Sequence, residues 1–150
     1  MKLIMAGEIT EKAYFQDRIL PHIDGDQIQL VEHSNRDDLI SLYQGAKVTL
    51  VPTKWNEPFG LVPVESMACG TPAVSYDRGG VSETIAPETG YLVKQEEGID
   101  GFAHRVGQIC SLSPDQYADL CARARKHVLD HFSINSMTDG YEKVYEKIVG

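Results

Sequence analysis

Apolar residues recur along this chain first as short unbroken runs: Leu3 to Ala6, Ile28 to Val31, Val48 to Val51, Ala73 to Ser75 and Tyr91 to Val93, each bounded by Gly, Pro, Asp or Asn. Runs of this length between such boundaries predict strands buried on both faces. Between them the repeat lengthens to that of a helix. It is clearest at 36–45, where Asn35 stands at the cap position, Asp37 and Asp38 fall in the first turn, and Leu39, Leu42, Tyr43 and Ala46 follow at helical spacing. Alternating strand and helix predict an α/β fold, a parallel sheet with helices on both faces, which binds ligands beyond the carboxyl ends of its strands. The last third is helix on helix. Ser113-Pro114-Asp115-Gln116 predicts a capping box with proline at the first helical position, and Leu112 is placed to staple onto Tyr117. Tyr117, Leu120, Cys121, Ala124 and Val128 then form one apolar stripe, and Met137, Tyr141, Val144, Tyr145 and Ile148 form a second after a break near Ser133.

The 150 residues, 42% hydrophobic and 24% charged, suffice for one good core, so a single domain over 1–150 is expected. The net charge of -8, with no basic stripe, argues against nucleic acid and anionic membrane as partners. An anionic ligand must be held locally. Met1 to Gly7 is apolar too briefly for a spanning helix and lacks the layout of a signal peptide, so a cytoplasmic protein is expected. Cys69, Cys110 and Cys121 contain no C-x-x-C and read as buried thiols, with no metal site.

Charge and turn chemistry converge on one segment, Glu57-Pro-Phe-Gly-Leu-Val-Pro-Val-Glu65, directly after a predicted strand. Its carboxylates stand eight positions apart, an E-x7-E motif, with a glycine turn and a helix start between them. Amides around Phe59, Gly60 and Leu61 would face outward there, where unpaired N–H groups and the helix dipole favour an anion. Gly60 permits close approach of the main chain, and Pro63 is tolerated in the first turn because its missing N–H has no intrahelical partner. Glu57 and Glu65 supply acceptor-only oxygens for hydroxyls. A nucleotide sugar carries both kinds of group. A hydrolase would set its two carboxylates across a bond, whereas here backbone amides fill the space between them. Leu61, Val64 and Ala68 share a spacing expected of core, and His127, His131 and the run Arg123, Arg125, Lys126 read as a solvated helix face.

Glu57-Pro58-Phe59-Gly60-Leu61 through Glu65-Ser66-Met67-Ala68-Cys69-Gly70-Thr71-Pro72 resembles the nucleotide-sugar site of retaining group-1 (family 4) glycosyltransferases of the GT-B fold. Lys2 to Gly7 looks like the second strand of that family's C-terminal domain, Leu39 to Val51 its helix and strand before the site, and Gly79-Gly80 with Glu83 its next glycine turn. Phe132-Ser133 with Tyr141 and Tyr145 resembles the closing helix. By position, the resemblance makes Glu57 the candidate catalytic residue, binding hydroxyls of the transferred sugar. The amides from Phe59 through Gly60 and Leu61 to Val62 would take sugar and diphosphate, Glu65 the ribose diol, and His33 with Ser34 the base pocket. It implies a Rossmann-like domain that takes a nucleotide diphosphate sugar as donor and transfers a hexosyl-type sugar with retained configuration, without cofactor or metal.

Relative to the family's pattern the chain lacks the first βα unit, whose Arg and Lys reach the diphosphate, and the N-terminal acceptor-binding domain. The isolated chain is therefore expected to lack transferase activity, and the absent central strand to leave edges that close up or pair with another chain, making a homo-oligomer conceivable. The competing readings are an inert nucleotide-sugar binding or regulatory module and a fragment of a related phosphorylase or synthase.

Overall fold

The computed structural model describes residues 1–32 and 35–150. In chain order the elements are β1 (Leu3–Ala6), α1 (Lys12–Tyr14), β2 (Ile28–Val31), α2 (Arg36–Gly45), β3 (Thr49–Val51), α3 (Leu61–Ala68), β4 (Ala73–Tyr76), α4 (Val81–Thr84), β5 (Gly90–Val93), α5 (Gly98–Cys110), α6 (Pro114–His131) and α7 (Ile134–Val149). The chain divides into two compact units, 1–42 and 43–150, with the division inside α2. The strands form two sheets, β1–β2 and β3–β4–β5, parallel throughout. All five apolar runs are strands, with ends shifted by a residue at most, but burial on both faces holds throughout only in β4, and β1 is largely exposed.

In the first unit β1 pairs with β2 from Leu3↔Ile28 to Ala6↔Val31. The turn before β2 is tied by Asp24, whose Oδ1 accepts from the amides of Asp26, Gln27 and Ile28. Those bonds hold its carboxyl below the usual range. A cavity of about 520 Å³, lined by Glu8, Ile9, Lys12, Phe15, Gln16, Leu20 and Glu32, opens beyond the carboxyl ends of β1 and β2.

In the second unit β4 is the central strand and every residue of it is buried. The strand period of two sends Ala73 to one face, into a core with Met67, Val81, Ile85, Ala124 and Val128, and Val74 and Tyr76 to the other, with Val93, Phe102, Ile109 and Leu120. Helix α3 packs on α6 over the first face, and α5 covers the second. Ser66, wholly buried in α3, donates to the carbonyl of Thr71 at 2.9 Å and can accept from the Thr49 hydroxyl at 2.7 Å, so its hydroxyl stays satisfied. The capping box of α6 forms as expected, Ser113 Oγ accepting from Gln116 N and Gln116 Oε1 from Ser113 N.

Several expectations are corrected. Leu61 is not core: at the open first turn of α3 it is 63% exposed, while Val64 and Ala68 do pack inward. Arg123, Arg125 and Lys126 are exposed, as expected of an outward face, and two of them also reach neighbouring segments. Arg123 donates to the carbonyl of Glu88 and pairs with Asp119, and Arg125 donates to the carbonyl of Ala68, capping α3. His127 is half-buried against Phe132, at 5.5 Å between ring centroids, and against His131 at 4.9 Å. Cys110 is exposed and the other two thiols are half-buried, so none is the buried thiol expected. The stripe of α7, Met137, Tyr141, Val144, Tyr145 and Ile148, is exposed along its length. Among the described residues no helix is long and apolar enough to cross a membrane.

Candidate functional site

The loop between β3 and α3 is fixed from beneath by the turn after β4. Glu57 makes a parallel bridge with Gly79, and its carbonyl accepts from the amide of Gly80 at 2.6 Å. The two chains approach so closely that a Cβ on Gly79 would lie 2.3 Å from the Glu57 carbonyl oxygen, and one on Gly80 2.3 Å from that of Pro58. Gly79-Gly80 is thus the seat on which the Glu57 loop rests, a role that turn chemistry alone does not reveal. Gly60 completes the loop at φ 93°, left-handed backbone that glycine enters without strain. A side chain there would meet Val81 Cγ2 at 3.2 Å.

That geometry leaves the start of α3 open. No side chain caps it, and among the described residues no hydrogen-bond acceptor takes the amides of Leu61 or Val62; Pro63 has none to offer. Leu61, Val62 and Phe59 are all exposed around these N–H groups. Unsatisfied donors at the positive end of a helix dipole bind an anion.

The two carboxylates flank this point and each is oriented by an aromatic donor. The Trp55 indole N–H donates to Glu57 Oε2 at 3.1 Å, and the Tyr43 hydroxyl to Glu65 Oε2 at 3.3 Å. Burial, reinforced by the neighbouring Glu65 charge, pushes the Tyr43 phenol up to about 12, so it remains a donor throughout the physiological range. Glu65 lies four residues into the helix, about 6 Å along its axis from Leu61 at ~1.5 Å per residue. Phe59 meets Phe132 edge to face at 5.7 Å, anchoring the loop to the end of α6.

The expected residues Glu57, Phe59, Gly60, Leu61, Val62 and Glu65 therefore gather at one helix end. His33 and Ser34 lie outside the described residues. Sequence reading missed Tyr43, Trp55 and Phe132 as parts of the site. Tyr43 fell within an apolar helical repeat, and only its amphipathic character, a ring to bury and a hydroxyl to direct, hinted at a second duty.

The family described as glycosyl transferases group 1 matches residues 1–127. A D-inositol 3-phosphate glycosyltransferase of Saccharomonospora viridis is 34% identical over 110 residues, covering 73% of this chain and 25% of that protein. A glycosyltransferase of Rickettsia africae superposes with a TM-score of 0.83 at 25% identity, over 99% of this chain and 40% of its own. The HepE protein of Anabaena, solved with UDP-glucose, shares the fold at a TM-score of 0.79 and 18% identity, over 97% and 41% of the two chains. The chain thus spans a quarter to two-fifths of the length of these relatives.

Proposed function

The chain belongs to the group 1 glycosyl transferases, and on that premise we propose that it is the donor-binding part of a retaining GT-B enzyme that transfers a sugar from a nucleotide diphosphate sugar. The observation that carries this reading is the uncapped start of α3 between two oriented carboxylates. The diphosphate sits on the amides of Leu61 and Val62, Glu57 accepts from hydroxyls of the transferred sugar, and Glu65 accepts from the ribose diol. Fixed dipoles at the helix start stabilise the leaving diphosphate as its negative charge develops. On this reading the 150 residues by themselves bind donor without turning it over.

Calorimetry against UDP-, GDP- and ADP-sugars tests the pocket and identifies the base together. Glu65→Ala is expected to weaken nucleotide and nucleotide sugar alike, and Glu57→Ala to weaken the nucleotide sugar while sparing the bare nucleotide. Each loss of hydrogen bonds to a charged acceptor is worth roughly 1.5–3 kcal/mol. Unchanged affinities in two well-folded variants would leave only the fold standing. A radiolabelled transfer assay separates the enzyme reading from that of an inert binding module once an acceptor domain is supplied.

A further inference from the structure

A second cavity, of about 180 Å³, opens at the carboxyl edge of the β3–β4–β5 sheet, lined by Lys54, Tyr76, Arg78, Gln95, Gly98 and Ile99. Each strand contributes from just beyond its end: Lys54 after β3, Arg78 after β4 and Gln95 after β5, while Gly98 and Ile99 open α5. None of these residues belongs to the Glu57–Glu65 site. Two cations therefore face one small space with no carboxylate among its lining residues. That is unexpected in a chain with 22 acidic and 14 basic residues, where Lys2, Arg105, Arg123 and Lys126 each pair with an acid. Among the described residues Arg78 donates only to the neutral amide oxygen of Gln95, and Lys54 makes no ion pair or hydrogen bond. The start of α5 has no side-chain cap, and Glu97 at its N-cap and Asp100 in its first turn offset the positive end of its dipole. Tyr76, 7% exposed, brings a phenol to the wall, and among the described residues it makes no hydrogen bond through its hydroxyl.

We propose that this cavity is a subsite for a small tetrahedral oxyanion, either inorganic phosphate or the terminal phosphate of a phosphomonoester. Arg78 offers a planar fork of donors, Lys54 a mobile point charge, and Tyr76 a hydroxyl, a set matched to phosphate oxygens. The volume falls well below the roughly 300–1,000 Å³ of pockets that enclose whole drug-sized ligands, so a nucleotide sugar does not fit within it. The inference does not depend on the donor site.

The test is an amide NMR titration of the full chain with potassium phosphate against potassium chloride at matched ionic strength. Saturable phosphate-specific shifts are expected at Lys54, Arg78, Gln95 and Ile99, persisting with saturating UDP present. Lys54→Gln and Arg78→Gln should each weaken phosphate about tenfold or more. Lys54→Glu, at an exposed position, serves if Arg78→Gln fails to fold. A parallel titration with glycerol phosphate distinguishes the sources: equal affinity assigns the site to free phosphate, and tighter binding to a phosphomonoester. Shifts that match chloride, that survive both lysine variants, or that vanish when UDP is added would overturn the proposal.

Discussion

Replacing Gly80 by alanine isolates the contact that seats the functional loop. Its backbone, at φ -72° and ψ -6°, is ordinary right-handed conformation open to any residue. On conformational grounds alone alanine there should stabilise by about 0.4–1 kcal/mol, since it reduces the freedom of the unfolded chain. The structure reverses that sign. An alanine Cβ would stand 2.3 Å from the Pro58 carbonyl oxygen, 2.9 Å from its carbon and 3.0 Å from the Phe59 Cα, all backbone atoms that cannot swing aside. Relief to the 3.0 Å that real Cβ atoms respect needs a retreat of about 0.7 Å, and the Gly80 N to Glu57 O bond of 2.6 Å lies in its path. Overpacking of this kind costs about 1–3 kcal/mol. A shift on that scale also moves Glu57 against the α3 amides, and a misplacement of ~1 Å can cost about 100-fold where geometry must be met. Urea unfolding should therefore show lower stability, and calorimetry a loss of nucleotide-sugar affinity greater than that of bare nucleotide. Gly107→Ala, in α5 with nothing within 4 Å of the added methyl, is the control and should stabilise by about 0.5–1 kcal/mol. If Gly80→Ala is as stable as the control and binds donor normally, the close approach of the two loops is wrong.

Tyr43→Phe removes the donor that orients Glu65; nucleotide affinity should fall by about 0.5–1.5 kcal/mol, measured by calorimetry, with the unfolding midpoint little changed. The same phenol carries a pH signature. Its folded value, raised from 10.0 to about 12, makes its contribution complete below pH 10 and lost as pH rises toward 12, because the unfolded chain ionises first. Tyr117 is raised in the same direction by its own burial, so denaturation curves should retain part of this alkaline loss in Tyr43→Phe. Phe132→Ala should detach Phe59, costing the edge-to-face pair at about 0.5–1.5 kcal/mol and raising exchange of the Phe59 and Gly60 amides in hydrogen-exchange measurements. Ser113→Ala removes a formed cap and should lower stability by about 0.5–2 kcal/mol in urea, without effect on donor affinity.

The sequence by itself determined the strands, the start of α6 and the helix end at which Glu57 and Glu65 meet. Each depends on near neighbours: apolar runs ended by turn residues, a serine three residues before a glutamine, a glycine turn opening a helix. Tertiary structure alone decided which apolar faces were covered. Leu61 and the α7 stripe have the spacing of core residues yet lie exposed, because periodicity records that a face is apolar and not what lies against it. It also decided what holds the site. Trp55 and Tyr43 direct the carboxylates, Gly79-Gly80 seats the loop and Phe132 grips Phe59 through contacts that, apart from Trp55 with Glu57, span some 20 to 70 residues. Partners so far apart in the chain leave no local pattern, since only the folded sheet brings them within reach.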